Sequence, residues 1–248
     1  MDLSDYSEMK KSLFIDLVGS KQNQGMLAEA PHTDFEDLSM VYRIRVPVGE
    51  DSFGSVLISN SMLERFGVDK EQLHQDALEN APQIRPATVR SMGSVLGMLG
   101  APPGEDSTLL VLTTEDMFKG AAALFYPDMM QSCSRMLKQD YFILPSSVHE
   151  VLLLPDNGAM RAAELQQMVS EINRTVVDPS EQLTDSVYHY DAGERIFELG
   201  SKYEERRDAV DAQRNQPASV LEDLRGKQKE AAAKPRAAAK TATHEATL

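Results

Sequence analysis

The chain has 248 residues, 42% of them hydrophobic, and a formal net charge of −14. No apolar run approaches the roughly 18 residues that a helix needs to span a bilayer, and the single cysteine, Cys133, excludes an internal disulfide framework. These features are typical of a cytoplasmic protein, and the length suits one sizeable hydrophobic core. We expect no membrane partner.

The charge is unevenly distributed along the chain. Residues 225–248 contain six basic and two acidic residues, a net charge of +4, so the remainder carries −18. Because phosphate contacts need clustered Lys and Arg, the acidic body argues against a broad nucleic-acid surface, and nucleic acid is expected only as a weak partner of the basic tail. We predict that residues 197–248 form a charged helical segment followed by a largely disordered Ala/Lys tail.

The first predicted elements are helices. Apolar residues at steps of three and four predict an amphipathic helix over residues 4–18, and the residues that define it are Tyr6, Met9, Leu13 and Leu17. Residues 22–30 predict a second, short helix, which Pro31 ends.

A strand and a hairpin follow. The alternation over residues 38–46 predicts a strand with one buried face, formed by Leu38, Met40, Tyr42, Ile44 and Val46. A turn-rich stretch leads to residues 55–58, which predict the returning strand of a β-hairpin. Arg43 and Arg45 share the outward face, where they either form surface ion pairs, which we favour, or bind an anion.

Three helical patterns occupy the next 40 residues. One, starting at Asn60 or Ser61, is closed by Gly67, and another is capped by Asp69 and ended by Pro82. Residues 88–99 have near-helical apolar spacing, although three glycines weaken that helix.

The second half alternates between short apolar runs and helices. Short apolar runs predict three buried strands, at residues 109–112, 142–144 and 151–154. The pattern of residues 120–126 fits a helix and a strand equally well. A helix after Pro127 carries an apolar stripe of Met129, Met130, Cys133, Met136 and Leu137, which favours a core position for the cysteine over a nucleophile.

The clearest helix covers residues 162–176. Its predicted inward face consists of Leu165, Met168, Val169, Ile172 and Val176. Residues 187–190 predict a short strand or an extended edge. The elements together predict an α+β fold, a mixed or antiparallel sheet covered by helices, with one domain over residues 1–196.

The strongest candidate site lies between two predicted strands, at Ser146, Ser147, His149 and Glu150. Hydroxyl, imidazole and carboxylate groups occur together there, as a hydrolase or transferase site requires. The favoured alternative is a turn whose serines cap the backbone. His149-Glu150 begins like a zinc-protease motif, but position 153 is Leu, so no metal is expected.

Two further polar groups could bind a ligand or a partner. His32 and Asp37 precede Arg43 in one of them, and Asp185 and Tyr188 belong to the other. Surface ion pairing and an edge strand with exposed polar residues are the structural alternatives that we favour for the two groups.

Four motifs together resemble an uncharacterised bacterial family of unknown function. They are PHTDFEDLSMVYRI, LHQDALENA, DYFILPSSVHEVLLLP and LTDSVYHYD, in that order, and the similarity covers about residues 14–190. It is most specific at residues 144–150. The resemblance implies a bacterial, cytoplasmic, single-domain protein, and it implies no activity.

The sequence contains no complete catalytic or cofactor motif. We therefore favour a non-enzymatic binding or regulatory module that uses no cofactor and binds a protein partner or a small ligand. The alternative is a hydrolase or transferase whose site gathers Ser146 to Glu150 with His32 and Asp185. Sequence alone does not determine the oligomeric state.

Overall fold

The computed structural model describes residues 5–49, 52–98, 108–145 and 147–214, and two antiparallel β-sheets organise the described residues up to Glu204. The α+β prediction is confirmed, with two sheets in place of one. A second unit, residues 205–248, is described only as far as Arg214, so most of the predicted tail lies outside the described residues. Within the described ranges, no helix combines the length and apolar composition that crossing a membrane requires.

The first sheet is built on one long strand. Its strands are β1 (Leu13–Gly19), β2 (His32–Phe35), β3 (Leu38–Pro47) and β4 (Phe53–Leu57). β1 pairs with one edge of β3, and β2 and β4 follow one another along the other edge. The predicted strand over residues 38–46 and the hairpin after it are therefore confirmed.

The predicted helix over residues 4–18 is wrong. Only α1 (Tyr6–Met9) and a 3₁₀ turn (Lys10–Ser12) are helical, and the chain then enters β1. Six of the seven β1 residues are buried, because the strand packs between other elements on both of its faces. A strand buried on both faces has no period of two, so its apolar residues matched helical spacing by coincidence.

Three helices accompany this sheet: α2 (Gln24–Glu29), α3 (Asn60–Phe66) and α4 (Lys70–Ile84). All three were predicted, but Ser59 caps α3, and α4 continues through Pro82 instead of ending there. The proline removes one backbone donor. The helix nevertheless closes its last turn, since the Arg85 N–H donates to the Ala81 carbonyl at 2.9 Å.

The second sheet has six strands in the order β10-β9-β7-β8-β6-β5. They are β5 (Ala87–Ser91), β6 (Leu110–Thr114), β7 (Tyr141–Leu144), β8 (Val151–Pro155), β9 (Tyr188–Asp191) and β10 (Ile196–Leu199). The predicted edge at residues 187–190 is an interior strand, because β9 pairs with both β7 and β10. Its aromatic residues are consequently buried rather than exposed.

The remaining helices are α5 (Met92–Met98), α6 (Met129–Leu137), α7 (Ala162–Thr175) and α8 (Gly200–Arg214). The helix predicted for residues 88–99 is half wrong, since its first part is β5. The predicted inward face of α7 is right at Leu165 and Val169, which are buried, and wrong at Met168, Ile172 and Val176, which are exposed. Cys133 is buried as predicted, and burial raises the pKa of its thiol to about 11.

A buried 3₁₀ segment (Gly120–Phe125) passes between the two sheets, and this is the stretch whose secondary structure was ambiguous. It contacts both β1 and β6. Its first residue must be small, because a Cβ on Gly120 would lie 2.2 Å from Thr113 Oγ1 and 2.5 Å from the Thr114 nitrogen. The close approach lets one segment contribute to the cores of both sheets.

Asp37 ties the β2–β3 turn to the second sheet. Its carboxylate accepts hydrogen bonds from Thr184 Oγ1 (2.6 Å), from Ser186 Oγ (2.9 Å) and from the hydroxyl of Tyr188. Tyr188 is fully buried, and burial, together with the nearby carboxylate, raises the pKa of its hydroxyl. The contact joins residues about 150 positions apart in sequence.

A buried imidazole forms a second polar contact in this part of the fold. His189 on β9 is fully buried, and its Nε2 lies 3.2 Å from Asp156 Oδ2, which also accepts a hydrogen bond from the Tyr203 hydroxyl at 2.7 Å. The Tyr203 ring stacks on the imidazole at 3.5 Å. His189 Nδ1 has no hydrogen-bond partner among the described residues, which is the arrangement of a neutral imidazole.

We expect Asp37→Ala to lower the free energy of unfolding by about 2–4 kcal/mol, because three donors lose a charged acceptor. Tyr188→Phe removes one of those donors and should cost about 1–1.5 kcal/mol. Urea unfolding followed by circular dichroism measures both values. If Asp37→Ala unfolded at the wild-type midpoint, the contact would not stabilise the fold.

The second prediction concerns acid stability. Burial lowers the pKa of His189, although the carboxylates of Asp156, Asp140 and Asp191 oppose the shift. The folded protein therefore favours the neutral imidazole. The contribution of His189 to the free energy of unfolding is present above the unfolded pKa of about 6.5 and is lost as the pH falls. The free energy of unfolding should therefore fall between about pH 7 and pH 5, and it should fall less in His189→Gln. Burial lowers the pKa of His74 too, so His74→Gln/His189→Gln should flatten the profile further. Equal profiles for wild type and His189→Gln would contradict this prediction.

Candidate anion-binding pocket

A pocket of about 550 Å³ opens beside the outward face of the first sheet. Four cationic side chains line it, and they are Arg43, Arg45, Arg85 and Lys119. Three carboxylates and three aromatic rings complete the charged and aromatic part of the lining, and they are Asp16, Glu115, Asp116, Phe14, Phe53 and Phe118. We call this site the cationic pocket.

Strand register explains why these residues meet. Phe14 lies directly opposite Arg43 in the β1–β3 pair, and directly paired residues point to the same face of a sheet. Two residues further along each strand, Asp16 and Arg45 point to that face as well. The end of α4 supplies Arg85, and the loop between β6 and the 3₁₀ segment supplies Lys119.

Asp16 is the buried anchor of the pocket wall. The residue is 1% exposed, and one carboxylate oxygen, Oδ2, lies 3.3 Å from Lys119 Nζ and 3.9 Å from Arg43 Nε. The other oxygen accepts a hydrogen bond from the Leu17 N–H at 3.0 Å. A buried carboxylate requires such partners, so Asp16 holds two cations at defined positions.

Arg85 is held by a second acidic residue. Its guanidinium donates to both carboxylate oxygens of Asp116, at 2.9 and 3.1 Å, and to the carbonyl of Phe118. Burial would raise the pKa of Asp116, but hydrogen bonds from Thr114 and Arg85 and the charge of Arg85 lower it overall. The carboxylate is therefore ionised, and it fixes the arginine against the pocket wall.

Arg45 differs from the other three cations. Its guanidinium carbon lies 3.7 Å from the centroid of the Phe53 ring, a cation–π contact, and it forms no ion pair with any described carboxylate. Glu115, an exposed residue, likewise has no ion pair within the described residues. Asp16 and Asp116 neutralise part of the lining, which leaves Arg45 as the one lining cation without a described ion pair.

His149 lies behind the loop that carries Lys119. Its Nδ1 accepts a hydrogen bond from the Lys119 backbone N–H at 3.1 Å, and its Nε2 lies 3.2 Å from Glu181 Oε1. Ser147 Oγ accepts from the His149 N–H at 3.0 Å, which is the self-capping turn that the sequence favoured. Ser146 lies outside the described residues.

The other predicted site residues lie in separate contacts. His32 Nδ1 is 2.9 Å from the Ala30 carbonyl, and Asp185 accepts a hydrogen bond from Asn173 Nδ2 at 2.8 Å. Asp37 and Tyr188 bond to each other, as described above. Across the described ranges, no hydrogen bond or ion pair joins His149 to His32 or Asp185. The hydrolase or transferase stays a prediction without a contact that supports it.

Glu150 lines a second pocket of about 570 Å³, whose walls are mostly the apolar side chains of α5, β6 and β8. Burial raises the pKa of this carboxyl. Considering only the residues that the structure describes, no group of three His, Cys, Asp or Glu side chains is placed to hold a metal ion.

Sequence reasoning found only part of the cationic pocket. It identified Arg43 and Arg45 on one face and named anion binding as the less favoured alternative. It missed Asp16, Arg85 and Lys119, which come from three distant segments. One available signal was Asp16 itself, a single carboxylate inside the apolar run LFIDLVG, because a charge in a buried strand implies a partner elsewhere.

We expect Lys119→Met to lower the free energy of unfolding by about 1–2 kcal/mol, since Asp16 would keep only the more distant Arg43 as an ion partner. The double variant Asp16→Asn/Lys119→Met also removes the buried carboxylate charge and should recover part of the lost free energy of unfolding. Urea unfolding of the wild type and both variants measures the effect. A Lys119→Met variant as stable as wild type would mean that the buried pair contributes nothing.

Comparison with known proteins places the chain in a family. A family model described as Family of unknown function (DUF5688) matches residues 1–192, which include every residue that lines the cationic pocket. No curated protein and no solved structure matches the chain. The chain therefore belongs to the Family of unknown function (DUF5688).

Proposed function

We propose that this protein is a cytoplasmic binding module that holds a small anionic molecule in the cationic pocket. The observation that carries the proposal is Arg45, a cation on the pocket wall that has no described ion partner. Three further cations stand around the same space. The single cysteine and the acidic composition support the cytoplasmic location.

The cations are organised before any ligand arrives. Asp16 positions Lys119 and Arg43, and Asp116 positions Arg85, so a ligand would meet donors whose side chains are already ordered. Ordering side chains on binding costs free energy, and a preformed site avoids that cost. The volume of about 550 Å³ is within the range of small-molecule sites.

The charge of the chain favours a small anion over a nucleic acid. Outside residues 225–248 the chain carries −18, whereas the pocket lining combines four cations with three carboxylates. A polymer of phosphates would extend beyond the pocket and meet the net negative charge of the rest of the chain. A molecule that fits inside the pocket meets mainly the local cations.

Binding rather than catalysis is favoured by the residue types in the pocket. No histidine or cysteine is among the described residues that line it, and Ser55, the one serine, accepts a hydrogen bond from Arg43 Nε at 2.9 Å. His149, which lies behind the loop that carries Lys119, accepts a hydrogen bond from a backbone N–H at its Nδ1. The lining therefore offers several donors for an anion, while two of its three carboxylates, Asp16 and Asp116, are already engaged with cations.

The test uses pyrophosphate as the probe and isothermal titration calorimetry as the measurement. We expect saturable binding that Arg45→Gln weakens by about tenfold, the effect of losing one charge-assisted contact. Arg65→Gln is the matched control, because Arg65 is exposed and lies outside the pocket. Absent binding, or equal loss in both variants, would contradict the proposal.

Glu115→Gln provides the opposite change in the same assay. It removes an exposed carboxylate from the rim without touching the buried ion pairs. Pyrophosphate affinity should rise about two- to fivefold, since a like charge near the ligand disappears. An unchanged or lower affinity would mean that the anion binds elsewhere.

A further inference from the structure

Two phenylalanine rings at the rim of the cationic pocket are more exposed than large apolar side chains normally are. Phe53 is 55% exposed at the start of β4, and Phe118 is 57% exposed in the loop after β6. Both line the pocket. An exposed ring lacks the stabilisation that burial provides. Because two such rings lie at one charged pocket, we expect a bound ligand to cover them.

We propose that the anion bound in this pocket carries a planar aromatic ring, the class of ligand that includes nucleoside monophosphates, and that Phe53 and Phe118 contact the ring. This inference rests on the proposed function, because the same cations hold the phosphate. The phosphate-binding and ring-binding residues adjoin at Arg45 and Phe53, since the guanidinium carbon of Arg45 lies 3.7 Å from the centroid of the Phe53 ring. Flat aromatic and guanidinium surfaces are those on which bases stack.

The backbone around Phe118 is held in place although its side chain is exposed. The Phe118 carbonyl accepts a hydrogen bond from Arg85, and its N–H donates to Asp116 Oδ1 at 3.4 Å. Its neighbours Met117 and Lys119 have φ values of 54° and 49°, in the left-handed region that non-glycine residues rarely adopt. Such strain persists only where surrounding contacts enforce it.

His149 supplies one of the enforcing contacts. It accepts the Lys119 N–H at 3.1 Å, and its ring lies 5.4 Å from the Phe118 ring. The residue thus acts as a positioning residue for the loop. His149 belongs to the polar stretch between β7 and β8 that the sequence singled out as a candidate site. Anion binding alone gives this residue no role, whereas positioning of the loop does.

The two ligand parts fit the pocket together. Cations lie on the walls formed by β3, the end of α4 and the loop after β6, and the exposed rings lie at the rim of the pocket. A volume of about 550 Å³ is larger than a lone phosphate requires and accommodates a ring and a sugar as well. A free nucleotide also avoids the repulsion that a polynucleotide would meet on the acidic body.

The test compares adenosine monophosphate with ribose 5-phosphate, which share the sugar and the phosphate but differ by the ring. Calorimetry on the full chain should give about tenfold tighter binding of the nucleotide, a typical contribution of base–aromatic stacking. Phe118→Leu should remove most of that preference and change the affinity for ribose 5-phosphate by less than about twofold. Phe53→Leu should also reduce the preference, but it removes the ring against which Arg45 lies and should therefore weaken both ligands. Met136→Ala, a change at a comparably exposed residue outside the pocket, should leave both affinities unchanged.

The outcomes separate this inference from the proposed function. Equal affinity for the two ligands would overturn the inference while leaving anion binding intact, and so would a nucleotide preference that survives both phenylalanine substitutions. Failure of both ligands and of pyrophosphate to bind would overturn anion binding itself. Arg45→Gln should weaken both ligands, since it acts on the phosphate that they share.

Discussion

A buried carboxylate needs cations beside it, and the buried Asp16 is the carboxylate around which the cations of the pocket are arranged. It is 1% exposed on a strand that is packed on both faces, so water cannot solvate its charge. Lys119 and Arg43 take the place of water from two other segments of the chain. The cationic pocket is the space next to this arrangement, because cations that satisfy a buried anion from one side leave their other side open.

The two sheets are kept in register by contacts of a different kind. Asp37 gathers three hydroxyl donors from the segment that leads into β9, and the 3₁₀ segment inserts small buried side chains between the sheets. These contacts matter for the pocket because its lining combines residues of the first sheet with residues of the segments that precede β5 and follow β6 in the second sheet. The contact of Lys119 with Asp16, at 3.3 Å, joins residues 103 positions apart in sequence, so it forms only when these distant segments are placed side by side.

The polar stretch between β7 and β8 illustrates how a reactive composition can serve a structural purpose. Hydroxyl, imidazole and carboxylate groups lie close in sequence there, but Ser147 caps the His149 N–H, and the imidazole accepts from the Lys119 backbone. Glu150 points into the other, apolar pocket. Adjacent residues in a turn face different directions, so sequence proximity of these groups does not create a catalytic arrangement.

The local pattern of the chain by itself determined the α+β class, the β3–β4 hairpin, most helices and the burial of Cys133, because periodicity, caps and turn residues act over a few positions. It could not determine that residues 13–19 form a strand, since a strand buried on both faces loses its alternation. Only the tertiary structure decided which charges meet. The alternation of the strand places Arg43 and Arg45 on one face. Asp16, Arg85 and Lys119 join them only because distant segments of the chain pack together. Such long-range packing leaves no periodic signal in a single sequence.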